Sequence, residues 1–154
     1  MFPFQKILCP TDFSEASLCG LKMASEMAEK FGSEVIVLYV NTSVQHLPSP
    51  HVEAAEITFD TVAYEKRLAE EARTNLADVS ESIFPEGVEP KLDVRIGQPA
   101  QEILDTAREE EVDAIFMATH GRTGLKHIVF GSVAERVVSR AGCPVLTVRS
   151  CDDL

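Results

Sequence analysis

The residues best suited to chemistry lie in one segment, Ala118 to Arg140. Gly121, Gly124 and Gly131 interrupt it, and Ser132 is followed three residues on by Glu135. That spacing is the S-x-x-E capping box, so a helix is expected to start at Ser132. The first N–H groups of a helix lack partners within it and form the positive end of its dipole, which suits an anion. Glycines ahead of such a start let a ligand approach bare backbone. Arg122, Lys126, Arg136 and Arg140 outnumber the one acid, Glu135, so the segment is net +3 in a chain of net −11. A positive zone in an acidic chain fits an anionic ligand. The same residue types also build ordinary turns, caps and solvated basic surface.

Asp12 is the second candidate. It follows the short apolar run Gln5–Cys9, at the carboxyl end of a strand, where open α/β sheets place ligand groups. A carboxylate there can accept hydrogen bonds from a base or ribose, or meet a Mg²⁺ ion. It can equally cap the helix that opens after Pro10-Thr-Asp-Phe-Ser, as can Ser14.

Other constellations carry less. His46 and His51 have no partner at metal spacing, and Cys9, Cys19, Cys143 and Cys151 form no C-x-x-C pair, so no metal ligand set is expected from the protein. Cys9 and Cys143 read as small buried apolar residues, Cys151 as an exposed one near the tail. Neither G-x-x-x-x-G-K-[ST] nor a G-x-G-x-x-G after the first strand is present, which disfavours a P-loop or a dinucleotide site. No catalytic residue is assigned; Asp12 and His120 are candidates for one by location only.

The elements that position these residues alternate. Strands are expected at Gln5–Cys9, Glu34–Val40, Lys91–Ile96, Ala114–Ala118 and Val145–Val148. Helices are expected at Glu15–Phe31, with Gly32 as its stop, at Thr58–Ser82, from Pro99 to Glu110, and at Ser132–Ala141. The first helix turns Leu18, Leu21, Ala24, Ala28 and Phe31 inward. Residues 41–57, with Pro48 and Pro50, read as a long loop over the site. β-α alternation with β-branched strands means a parallel sheet covered by helices on both faces, wound in both directions. One domain of 154 residues is expected, at 45% apolar and 25% charged content. The acidity argues against nucleic acid as a partner. No apolar run reaches membrane-spanning length, and the start does not read as a signal peptide, so a cytoplasmic location is expected.

The run Ala118-x2-Gly121-x9-Gly131-Ser132 resembles the G-x2-G-x9-G-(S/T) signature of ATP-binding universal stress proteins, with alanine in place of the first glycine. Ile7-Leu-Cys-Pro-Thr-Asp-Phe-Ser, Gly97-Gln-Pro-Ala-Gln-Glu-Ile and Ala141-Gly-Cys-Pro-Val-Leu-Thr-Val fit the same family in the same order. The resemblance implies a doubly wound, Rossmann-like five-stranded parallel sheet of strand order 3-2-1-4-5, related to the adenine nucleotide alpha hydrolase fold. That order sets Asp12 and the glycine segment at one crevice. It implies that Asp12 and Val40 meet the adenine and ribose, with Pro10 and Thr11 shaping that wall. Met117, Ala118, His120 and Gly121 would line the loop, and Gly131, Ser132 and Val133 would face the phosphates. Arg122 is a further phosphate candidate through its forked donors. ATP (or ADP or AMP) with Mg²⁺ is the implied ligand, and a homodimer through Val145–Val148 the implied assembly, alongside an unknown protein partner. The implied function is a nucleotide-dependent stress-response switch. A slow ATPase or phosphotransferase, or an interaction module of the same fold without a ligand, are the alternatives.

Overall fold

The computed structural model describes residues 3–42, 61–120 and 131–149. Nine elements follow one another: β1 (Lys6–Thr11), α1 (Glu15–Phe31), β2 (Glu34–Asn41), α2 (Thr61–Ile83), β3 (Lys91–Ile96), α3 (Pro99–Glu109), β4 (Ala114–Ala118), α4 (Ser132–Arg140) and β5 (Val145–Val148). The five strands form one parallel sheet in the order β3-β2-β1-β4-β5. The order reverses between β1 and β4, so the carboxyl ends of these strands flank the switch point.

The central strands explain why this sheet forms. Ile7, Leu8 and Cys9 of β1 and all five residues of β4 are buried, as strands covered on both faces require. Alternate residues feed two cores. One lies under α1 and α2, around Ile7, Leu21, Val37, Leu76 and Phe116. The other lies under α3 and α4, around Leu8, Ile36, Ile103, Ile115 and Val137. Each such fully buried aliphatic side chain contributes about 1.5–3 kcal/mol. The Cys9 thiol is buried and donates to the Phe116 carbonyl at 3.2 Å; burial pushes its pKa far up, so it behaves as a small apolar residue. Cys143 is only half-buried.

Several boundaries differ from the expectations. β1 does not stop at Cys9 but runs through Pro10 to Thr11. It pairs with β4 only at Ile7 and Leu8 and continues along β2 alone. Pro10 thus stands where the ladder is one-sided, and its missing N–H is tolerated as on an edge. β2 takes in Asn41, the first residue of the expected loop; most of the remainder of that loop, with His46 and His51, lies outside the described residues. α1 ends at Gly32 in the left-handed conformation (φ 71°), whose N–H bonds back to Ala28, as expected. Phe31, however, is 48% exposed rather than turned inward; it is the last residue of the helix, directly before the Gly32 stop.

The two edges of the sheet differ in character. β3 presents Lys91, Asp93 and Arg95 toward α3, where Lys91 pairs with Glu110 at 2.8 Å and Arg95 with Glu109 at 2.8 Å. β5 reads Val-Leu-Thr-Val and carries no charge. Among the described residues no helix is long and apolar enough to cross a membrane.

Candidate functional site

The β1–α1 turn is built by its own side chains. Ser14 caps α1, its hydroxyl accepting from the Ser17 N–H at 3.3 Å. Asp12 Oδ1 accepts from both the N–H (3.1 Å) and the hydroxyl of Ser14. Of the two capping candidates, Ser14 therefore holds the helix and Asp12 holds Ser14. Phe13 between them has φ 63°, a conformation that costs a residue with a bulky side chain roughly 1–3 kcal/mol. The strain is offset locally: its N–H donates to Thr11 Oγ1 at 3.0 Å, and its ring stacks on Tyr39 with centroids 4.8 Å apart. Thr11 Oγ1 and Ser17 Oγ lie 2.9 Å apart, and Ser17 donates to the Ser14 carbonyl. The turn is thereby fixed with Asp12 at the carboxyl end of β1.

The start of α4 departs from the capping-box expectation. The cap is Gly131, not Ser132, and no side chain makes a cap bond. Backbone alone explains this. Gly131 N–H donates to the Thr119 carbonyl at 2.7 Å, and its own carbonyl accepts from Glu135 N–H at 2.9 Å. The glycine is pinned to the end of β4 and serves as the half-helical residue, leaving Ser132 at the first helical position with its hydroxyl free of cap duty. A Cβ on Gly131 would lie 3.4 Å from the Thr119 carbonyl and 3.8 Å from His120 Cα. A side chain there would crowd the end of β4.

Both turns open onto one cavity of about 330 Å³ at the carboxyl ends of β1, β2 and β4, within the range usual for small-molecule sites. Pro10, Thr11 and Asp12 reach it from β1, and Val40 from β2. Met117, Ala118 and His120 line it from β4, and Gly131, Ser132 and Val133 from α4. Ten of the expected site residues thus share one cavity, although β1 and α4 are far apart in sequence; Gly121 and Arg122 lie outside the described residues. Among the described residues Asp12 is the one acid on its lining. His120 Nδ1 is 2.9 Å from Thr119 Oγ1, which fixes the ring.

Sequence reasoning missed part of the lining. Leu38, Pro99, Ile103 and Ala134 form much of an apolar wall, and Ser17, Tyr39, Thr42 and Thr119 add polar points. The period-2 rule held a signal for Leu38, which shares a strand face with Val40. Among the described residues no group of three His, Cys, Asp or Glu could hold a metal ion.

The Universal stress protein family model matches residues 3–149. The chain belongs to the universal stress protein family. Among its relatives, universal stress protein MJ0531 of Methanocaldococcus jannaschii is 37% identical over 146 residues, covering 95% of this chain and 82% of that one. Universal stress protein MJ0577 of the same organism is 32% identical, with 95% of each covered. A solved structure of MJ0577 superposes with a TM-score of 0.73 at 34% identity, covering 94% of this universal stress protein and 95% of the other. The same fold, at 22% identity and a TM-score of 0.56, is found in a universal stress protein from Archaeoglobus fulgidus in complex with dAMP.

Proposed function

We propose that this universal stress protein binds ATP and acts as a nucleotide-dependent regulatory switch of the stress response. The observation that carries the reading is the cavity itself, which joins an apolar wall to the N-terminus of α4, with one carboxylate beside them. A flat base fits the wall, and Asp12 and Val40 meet the ribose and base. Pro10 and Thr11 shape that side, while Met117, Ala118 and His120 form the floor toward the helix. The N–H groups at Ser132 and Val133 and the uncommitted Ser132 hydroxyl serve the phosphates, and the bare Cα of Gly131, whose own N–H is held by Thr119, lets them approach. Gly121 and Arg122 join them on the family pattern. The nucleotide complex of the Archaeoglobus relative supports the fold as one that can hold an adenine nucleotide. Mg²⁺ arrives on the phosphates, since among the described residues Asp12 is the only acid lining the cavity. ADP and AMP carry the same base and ribose. The protein works in the cytoplasm as a homodimer paired through β5, the edge without charge.

The test is mass spectrometry of small molecules released on denaturing the purified protein, with calorimetric titration of ATP and Mg²⁺. Released adenine nucleotide or micromolar binding is expected. Asp12→Ala should weaken binding by about 1–3 kcal/mol, roughly five- to a hundredfold. An empty protein with no heat of binding at millimolar ATP overturns the reading.

A further inference from the structure

We propose that Glu102 is a positioning residue for the cavity: with Gly97 and Arg95 it fixes the first turn of α3, and so sets the wall that receives the base. The proposal rests on the nucleotide reading above. Gly97 joins β3 to α3 without a left-handed backbone, so its lack of a side chain is used for space. A Cβ there would stand 3.0 Å from Glu102 Cγ and Cδ and would collide with Oε1. The Glu102 carboxylate fills the room that a side chain at 97 would take.

Two further contacts hold this arrangement. Arg95, half-buried on β3, donates to Asp93 at 3.0 Å and to Glu109 at 2.8 Å, and its Nη1 lies 3.9 Å from Glu102 Oε2. Positions 102 and 109 are two helical turns apart, so one guanidinium fixes both the rotation and the rise of α3 over the strand. Gly97 N–H donates to the Asn41 carbonyl at 3.0 Å, which ties the same joint to the end of β2, next to Val40 and Thr42. At 3.9 Å the ion pair itself contributes little; the closer contact is the Glu102 side chain lying over the bare backbone of Gly97.

Neither Gly97, Glu102 nor Arg95 lines the cavity, whereas Pro99 and Ile103, which flank Glu102 in the same turn, do. The phosphate end hangs instead from β4, through Gly131 and Thr119. α4 shares a core with α3, but its start is tied to β4 by a bond the joint does not touch, so disturbing the joint moves the base wall more than the anion end.

The experiment measures ATP and inorganic tripolyphosphate affinities, by competition against a fluorescent ATP analogue, for wild type, Glu102→Ala, Gly97→Ala and the double variant. Far-ultraviolet circular dichroism checks the fold of each, and either single variant suffices should the other not fold. ATP affinity is expected to fall about tenfold in each single variant, the scale of a wall held slightly out of place. Tripolyphosphate affinity should stay within about twofold. The double variant should bind ATP no worse than Glu102→Ala, because the clash at 97 vanishes with the carboxylate. Unchanged ATP affinity, equal losses of ATP and tripolyphosphate, or additive losses in the double variant overturn the proposal. A wild-type protein that binds neither probe overturns the nucleotide reading instead.

Discussion

Replacing Ser132 by alanine separates two roles that the sequence alone merges. A serine that caps a helix stabilises it by about 0.5–2 kcal/mol relative to alanine. In a chain of 154 residues, a loss of about 1 kcal/mol lowers Tm by roughly 2–4 °C. The structure assigns the cap to Gly131 and leaves Ser132 exposed at the first helical position with no cap bond. Alanine is the better helix former there, so Ser132→Ala should leave Tm unchanged to within about 1 °C. On the proposed function the hydroxyl meets the ligand instead. Losing one hydrogen bond to a charged group costs about 1.5–3 kcal/mol, which weakens ATP binding roughly ten- to a hundredfold. Scanning calorimetry without ligand and isothermal titration with ATP and Mg²⁺ read the two quantities. A Tm drop of several degrees with unchanged affinity would restore the capping box and remove Ser132 from the site.

Other perturbations test other parts. Ser80 is buried on α2 with a hydroxyl that has no hydrogen-bond partner among the described residues; Ser80→Ala should raise stability in urea unfolding by about 1 kcal/mol, the penalty of an unpaired buried polar group. Gly131→Val should abolish ATP binding, because its Cβ would already be in contact with the Thr119 carbonyl at 3.4 Å and its γ-methyls would fill the approach to the helix start; Gly131→Ala should lose only part of the affinity, and equal losses would refute the steric account. The Lys6 and Gln5 N–H groups hold the Asp113 carboxyl below the usual carboxylate range. A depressed folded-state pKa gives stability that is full above the unfolded value of about 3.9 and is lost as pH falls through the folded one. The Tm difference between wild type and Asp113→Asn should therefore be flat above about pH 5 and shrink below about pH 4.

The legible parts of this chain were those where one residue type has one physical reason. Gly32 had to end α1, and β-branched runs such as Glu34–Val40 had to be covered on both faces. The site was legible for the same reason at Asp12, Gly131 and Ser132, where polar or bare backbone meets the end of a strand. Errors fell where tertiary context chose between local options. Ser132-x-x-Glu135 is a sound capping signal, but the bond from Gly131 to Thr119 moved the cap back by one residue. Pro10 reads as a strand breaker, yet one-sided pairing carries it inside β1. Leu38, Ile103 and Ala134 belong to the cavity wall and the core together, and an apolar residue does not announce which of its faces meets a ligand.

Under the proposed pairing through β5, the unequal edges of the sheet among the described residues limit how many copies can join. An edge strand whose charges are already matched by α3 offers a newcomer rows of fixed ions to desolvate, whereas the short uncharged β5 offers bare backbone. A chain with one adhesive border has a valence of one for growth by strand addition. Two molecules meeting there spend both borders and turn a pair of protected ones outward. A pair formed in that way would end at ten strands, with the β3 borders and their matched Lys91 and Arg95 outermost.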